Sequence, residues 1–424
     1  MKRNCLLLAL LLAAPPVGAI PNVFFGNGAG IPIIPAFPRF RADLTEDFLD
    51  EGNWQAQEFP GPWRDEPALE GETARRMEAV PMAFGEVPMS VAAFGDSGGV
   101  RELVISFLDA GLYFGYHYGG EQSREEREAG RARRQEFSQL HKGLSRRLSD
   151  RLGKGCGRGV AGSIGRTSVL RSEFVEYRWE GFVLRLVARP DHSVALHIYR
   201  AGSEPRSFVD EEFAEMGRRD RAAKFAAAVE RSGDGELVIR GLPMCTQGET
   251  PFCGVHSLAM ASRYLGLTAS PNDLAGSAGF KNTGSAAGSK LVDLYRAVGS
   301  ELGMRVSVAP SFDRSRVLRS LEAGVPVVVW RRVSLEREIA HRRLAEARKE
   351  DPSLAPPALS AAEIGALPPK GARGTPSHAS VLTGFSPETD TLVYAEPWGE
   401  DTRDRRMRIE EMEATAYAAF FFKL

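Results

Sequence analysis

The sequence predicts an α+β protein of more than one domain, on three observations. Its 424 residues exceed what one ordinary hydrophobic core holds. Apolar residues recur at helical spacing in some segments and at alternate positions in others. A short polar stretch, ERSGDGE, then divides the chain, so that 76–235 reads as one α+β domain and 240–424 as a second.

Composition narrows the function classes. Hydrophobic residues make up 43% and charged residues 26%, as in soluble globular proteins. A formal net charge of -1 gives no electrostatic reason to expect nucleic acid or an anionic membrane surface as partner.

The chain starts with an address. Met1 to Asn4 are basic and polar, CLLLALLLAA is apolar, and Val17 and Ala19 supply small residues before a cut. This is the layout of a signal peptide, 1–19, and it predicts an exported protein: secreted, periplasmic or at the cell surface. The apolar run is shorter than the roughly 20 residues of a spanning helix, so no stable membrane insertion is expected after cleavage. Residues 20–75 are rich in Pro, Gly and aromatics without a sustained period, and read as an irregular arm on the surface.

In the first domain, VRELVISFLDAGLYFGYHYG reads as one or two strands. A helix follows over 122–153, with Phe137, Leu140, Leu144, Leu148 and Leu152 on one face. Its Arg residues are interleaved with Glu and Asp, which marks a wet face rather than a binding patch. GKGCGRGVAGSIG is a glycine-rich connector lacking the Lys and Ser/Thr ending of a phosphate loop. Phe182 to Arg189 and SVALHIYRA form a meander. His192 and His197 lie there with no metal-ligand spacing around them.

In the second domain, helices are expected at 253–265 and 289–302, then strand MRVSVAP, helix VLRSLEAG and strand VPVVVWRR. Strands HASVLTGF and TLVYAEP, a short helix and AAFFFKL close the chain. An inserted section, 334–377, opens with the charged helix LEREIAHRRLAEARKE; it reads as a solvated decoration or as a lid over a groove. His341 on that helix reads as solvent-facing.

The cysteines carry a further expectation. Cleavage removes Cys5 and leaves Cys156, Cys245 and Cys253, an odd number that suggests one bridge and one free thiol. Three pairings are open; a nucleophilic Cys253 would leave Cys156 and Cys245 as partners.

Chemistry concentrates in PFCGVHSLAMASRYLG. Cys253 opens a helical pattern that Gly266 ends, and a thiol at a helix amino terminus meets the positive end of the macrodipole. Gly254 beside it leaves space for a substrate backbone. Gln247, six positions earlier, supplies an amide that can donate to an oxyanion, with the Cys253 backbone N–H as the second donor. His378 starts an apolar strand, and Glu396 ends the next, where it can orient the imidazole. Asp401 and Asp404 are alternatives for that role, and His256, one turn along the helix, is a second candidate base. Trp398 either shields the His–acid pair or fills a core.

Gln-x5-Cys-Gly, then His at a strand start, then an acid before Pro-Trp-Gly resembles the papain-like cysteine peptidases. Over about 240–424 the chain is most similar to the double-glycine (bacteriocin-processing) peptidase-like family. The resemblance implies a papain-like fold, with a helical half holding Cys253 and an antiparallel sheet half holding His378. It implies hydrolysis of a peptide or protein substrate through an acyl-enzyme, with no metal or other cofactor. Glu396 departs from the Asp or Asn usual in that family, and no transporter segments follow. A degenerate peptidase that only binds peptides, or an acyl transferase on the same site, are the competing functions. The role of 20–235, the substrate and the oligomeric state are not legible.

Overall fold

The computed structural model describes residues 43–66, 72–77, 82–114, 124–233, 235–248, 250, 252–279, 288–367 and 377–424. The expected signal peptide and the start of the expected arm lie outside the described residues. No described helix is long and apolar enough to cross a membrane.

The first domain is an antiparallel sheet of eight strands. These are β1 (Arg64–Asp65), β2 (Glu72–Met77), β3 (Ser90–Asp96), β4 (Gly99–Asp109), β5 (Val160–Ile164), β6 (Ser172–Trp179), β7 (Phe182–Arg189) and β8 (Ser193–Arg200), in the order β1-β2-β3-β4-β8-β7-β6-β5. Helix α1 (Arg124–Cys156) packs against β6, β7 and β8 and buries Phe137, His141, Leu144, Leu148 and Leu152. Leu140, expected on that face, is exposed, and His141 takes its place. At roughly 100° per residue, position 140 falls about 60° to one side of the line through 137, 144 and 148, while 141 falls about 40° to the other side, toward the buried Leu152. The helix also runs through Gly153 and Gly155 to Cys156, so the connector is shorter than the glycines suggested.

Two boundaries differ from the sequence reading. Residues 43–66 are not a surface arm: Phe48 and Trp54 are fully buried with Leu103, Ile105 and Leu184 in the first core. The Trp54 indole N–H donates to the Phe48 carbonyl at 2.9 Å. These aromatics bury singly along an irregular path, which leaves no period to read. At the other end, Phe208, Val209, Phe213 and Phe225 pack with the second domain, and β9 (Val229–Arg231) pairs with β10 (Leu237–Ile239) in its sheet.

The second sheet runs β11-β16-β12-β13-β10-β9, from β11 (Arg305–Ala309), β12 (Val327–Arg332), β13 (Ser377–Ser386) and β16 (Ala416–Lys423). β14 (Thr391–Ala395) pairs with β13, and β15 (Arg405–Arg408) with β14, all antiparallel. Its central strands are covered on both faces, so they read as continuous apolar runs. Val328, Phe420 and Phe422 face the helices α2 (Cys253–Tyr264), α3 (Pro271–Ala278) and α4 (Gly288–Glu301). Val327, Val329 and Phe421 face Val317, Leu321 and Met412 on the opposite side. The result is the helical half and sheet half expected of a papain-like domain.

Hydrogen bonds join the domains. The buried Glu301 carboxylate accepts from the backbone N–H groups of Arg166 at 2.8 Å and Thr167 at 3.3 Å. Arg189 pairs with Asp273 at 3.0 Å, and Arg263 with Glu72 at 2.7 Å. The expected Cys156–Cys245 bridge does not form; Cys156, Cys245 and Cys253 are all free. Cys156 packs against the core of the first domain and Cys245 against that of the second, so a bridge would require both to leave their packing.

Candidate active site

Cys253 is the first residue of α2, half-buried, after Phe252 in the capping position. The N–H groups of Val255 and His256 both reach the Phe252 carbonyl at 2.9 Å, which fixes the first turn. Gly266 ends the helix at a φ of 95°, a conformation costly for any residue with a Cβ. Gly254 serves a different need from the one expected. A Cβ there would lie 2.2 Å from the Trp330 ring, so the glycine admits the indole rather than a substrate backbone.

His378 is the second residue of β13, directly across the ladder from Arg331 on β12. It is 3% exposed. Its Nε2 lies 2.7 Å from Glu396 Oε2, and the Cys253 thiol lies near enough to the ring to favour its protonated form. Trp398 packs on the imidazole with centroids 4.6 Å apart. Burial alone would push the His378 pKa down. The Glu396 charge, its bond to the ring and the nearby Cys253 thiol outweigh it and raise the pKa to about 10.

Glu396 follows β14, whose last residue, Ala395, pairs with Val381. That register sets its carboxylate beside both His378 and Ser380, two positions apart and on one face of β13. Oε2 meets His378; Oε1 accepts from Ser380 Oγ at 2.8 Å and from Arg331 Nη2 at 2.7 Å. The extra methylene relative to Asp is accommodated by holding both oxygens. Burial raises the Glu396 pKa, but His378 and Arg331 outweigh it and hold the group below the usual carboxylate range. Asp404 pairs with Arg240 at the surface and Asp401 is exposed.

Gln247 is 3% exposed, and its backbone N–H donates to the Pro397 carbonyl at 2.8 Å. The loop carrying it is thereby tied to the turn after Glu396, a tie reinforced by a Thr246–Trp398 bridge. Its Nε2 donates one hydrogen to the Thr250 carbonyl at 2.7 Å and keeps a second. His256 points away from this chemistry: Nδ1 sits 3.0 Å from the Phe252 carbonyl, and burial drives its pKa down to about 4.

The inserted section corrects a second expectation. Helix α5 (Leu335–Glu350) is no solvated decoration, since Arg337, Glu338, His341 and Leu344 are buried. His341, read as solvent-facing, is fully buried between Glu411 at 3.2 Å and the Tyr394 hydroxyl at 3.1 Å. Glu338 reaches Arg331 Nη2 at 2.8 Å and Arg405 Nη1 at 2.9 Å. Burial raises its pKa; Arg331 and Arg405 overcome this and bring it to about 2. Sequence reasoning missed Arg331, Ser380, Glu338 and Arg405. The one available signal was the pair of arginines ending an otherwise apolar strand, VPVVVWRR.

Residues 239–422 match the model of the family described as Peptidase_C39 like family. Among solved structures, the chain is similar to a protein described as a C39-like peptidase from Bacillus anthracis. That likeness has 16% identity, covers 45% of this chain and 98% of the other, and has a TM-score of 0.29. A second similar structure is the peptidase domain of Streptococcus ComA, a bi-functional ABC transporter involved in a quorum sensing pathway. There the identity is 15%, the coverage 42% of this chain and 96% of the other, and the TM-score 0.26. The comparison with curated proteins gives no match. The similarity to the Peptidase_C39 like family is thus confined to residues 239–422, the part of the chain that holds Cys253, His378 and Glu396.

Proposed function

We propose that this domain is a thiol-dependent hydrolase of peptide or amide bonds, with Cys253 as nucleophile, His378 as base and Glu396 as the group that orients it. The observation that carries the reading is the buried imidazole bonded to the Glu396 carboxylate, with the Cys253 thiol near enough to raise its pKa. Nε2–H donates to Glu396, which turns the opposite edge of the ring, with Nδ1, toward the sulfur. His378 takes the thiol proton, and the sulfur attacks the carbonyl carbon. The charge that develops on the carbonyl oxygen is met by the backbone N–H of Cys253 and the second amide hydrogen of Gln247. The imidazolium returns its proton to the departing amine, leaving a thioester on Cys253. His378 then deprotonates a water that attacks the thioester, releasing the acid and restoring the thiol.

Labelling with iodoacetamide or an epoxide probe at neutral pH tests this. Cys253 is expected to react well ahead of Cys156 and Cys245, and a Cys253 that reacts no faster than an ordinary thiol overturns the reading. A reactive Cys253 without turnover on a broad peptide library would instead assign a peptide-binding role. Amide formation in the presence of an added amine would assign acyl transfer. The chain is also inferred to be exported, on its first 19 residues, and amino-terminal sequencing of secreted protein should begin at Ile20.

A further inference from the structure

The inserted helix α5 reaches the reacting centre through a single buried line of charges. Its Glu338 holds Arg331 Nη2 with Oε1, and the same Nη2 donates to Glu396 Oε1. Arg331 Nε donates to Ser380 Oγ at 3.0 Å, and Ser380 passes its own hydrogen to Glu396 Oε1. Arg331 is 2% exposed, Glu396 0%, Glu338 6% and Arg405 6%. From His378 through Glu396, Arg331 and Glu338 to Arg405, each group meets one that carries opposite charge when ionised. The line then turns back, because Arg405 lies 5.0 Å from the centroid of Trp398, the ring packed on His378. Buried charges keep their place only when paired and hydrogen-bonded, and here each acid is held by a guanidinium.

The consequence lies in Glu396. A Glu side chain has one more rotatable bond than the Asp or Asn it replaces, so a bond from His378 alone would leave the carboxylate free to swing. The planar fork of Arg331 engages three acceptors at once, on Glu396, Ser380 and Glu338. A lysine ammonium, a compact charge on a flexible stem, lacks that fixed geometry. We propose that Arg331 is a positioning residue, anchored from behind by Glu338 of the inserted helix, which locks the Glu396 carboxylate against His378 and so makes the insertion part of the support of the reacting centre. The proposal rests on the peptidase reading for its kinetic arm and is independent of it for its spectroscopic arm.

The test compares wild type with Arg331→Lys and Glu338→Gln, each checked for folding by circular dichroism and thermal melting. The first readout is the Nε2–H proton of His378 in histidine-labelled protein, assigned by its loss in His378→Ala. In wild type it is deshielded by the carboxylate; in both folded variants it moves upfield or is lost to exchange. Glu338 holds Arg331, which bonds Glu396, and Arg405, which packs on Trp398, so a shift shared by Arg331→Lys and Glu338→Gln marks the route through Arg331. The second readout is turnover: kcat falls about tenfold at unchanged KM, the scale of losing an outer partner of an oriented imidazole. A folded variant that keeps the wild-type resonance and kcat overturns the proposal. Failure of both variants to fold does so as well, in favour of a purely structural network. Wild-type protein whose Cys253 does not alkylate sinks the peptidase reading instead, and leaves the resonance comparison standing.

Discussion

The ring of Phe252 rests so closely on Gly111 that a Cβ at position 111 would lie 2.6 Å from it. Phe252 immediately precedes Cys253 and its carbonyl fixes the first turn of α2, whereas Gly111 belongs to the first domain. Gly111→Val is therefore expected to cost about 1–3 kcal/mol of stability by overpacking. It is also expected to slow alkylation of Cys253, because relief of the clash displaces Phe252. A melting curve and an alkylation time course on the purified variant check both; wild-type alkylation would uncouple the first domain from Cys253.

The pH profile follows from His378. Its pKa is raised to about 10, so the imidazolium persists far above the range of an ordinary histidine. Activity is expected to hold through neutral pH and to fall on an alkaline limb near that value. In Glu396→Gln the lowering effect of burial loses its main opponent, and the limb moves to lower pH. Stability runs the same way: the contribution of the raised pKa is full below about 6.5 and is lost as pH rises through the folded value. Equilibrium denaturation from pH 6 to 10 measures it.

Gln247→Ala is expected to lower kcat by on the order of 10²–10³-fold, the usual cost of one oxyanion donor. The lost bond to the Thr250 carbonyl should cost only about 1 kcal/mol of stability. Cys253→Ala should abolish turnover with an unchanged melting temperature. Steady-state kinetics beside calorimetry separates the two effects.

The face of α1 is tested by a pair of truncations. Leu148→Ala removes a fully buried side chain and should cost about 2–5 kcal/mol. Leu140→Ala changes an exposed position and should stay within about 0.5 kcal/mol. Chemical denaturation of both variants gives the difference.

Much of the site's layout was legible because it rests on local pattern. Cys253 announces itself by a helix start, His378 by a strand start, and Glu396 by the end of the strand that pairs next to it. Arg331 was not legible, because its place depends on the register between β12 and β13, which the long insertion separates in sequence. The charged helix misled for a related reason. LEREIAHRRLAEARKE has the composition of a wet surface, yet Glu338 and His341 are buried because their partners, Arg331, Arg405, Glu411 and Tyr394, come from distant strands and helices. Amphipathic period reports apolar burial and is silent about complementary charge. In the first domain, the apolar face of α1 and the meander were readable from their periods, while Phe48 and Trp54 were not.

The three unpaired thiols have a practical side. No sulfur–sulfur link among the described residues secures one domain to the other; carboxylate, guanidinium and aromatic contacts do so. A reductant strong enough to reverse oxidation of Cys253 therefore has no staple in the described fold to cut. Dithiothreitol should revive idle protein without loosening it.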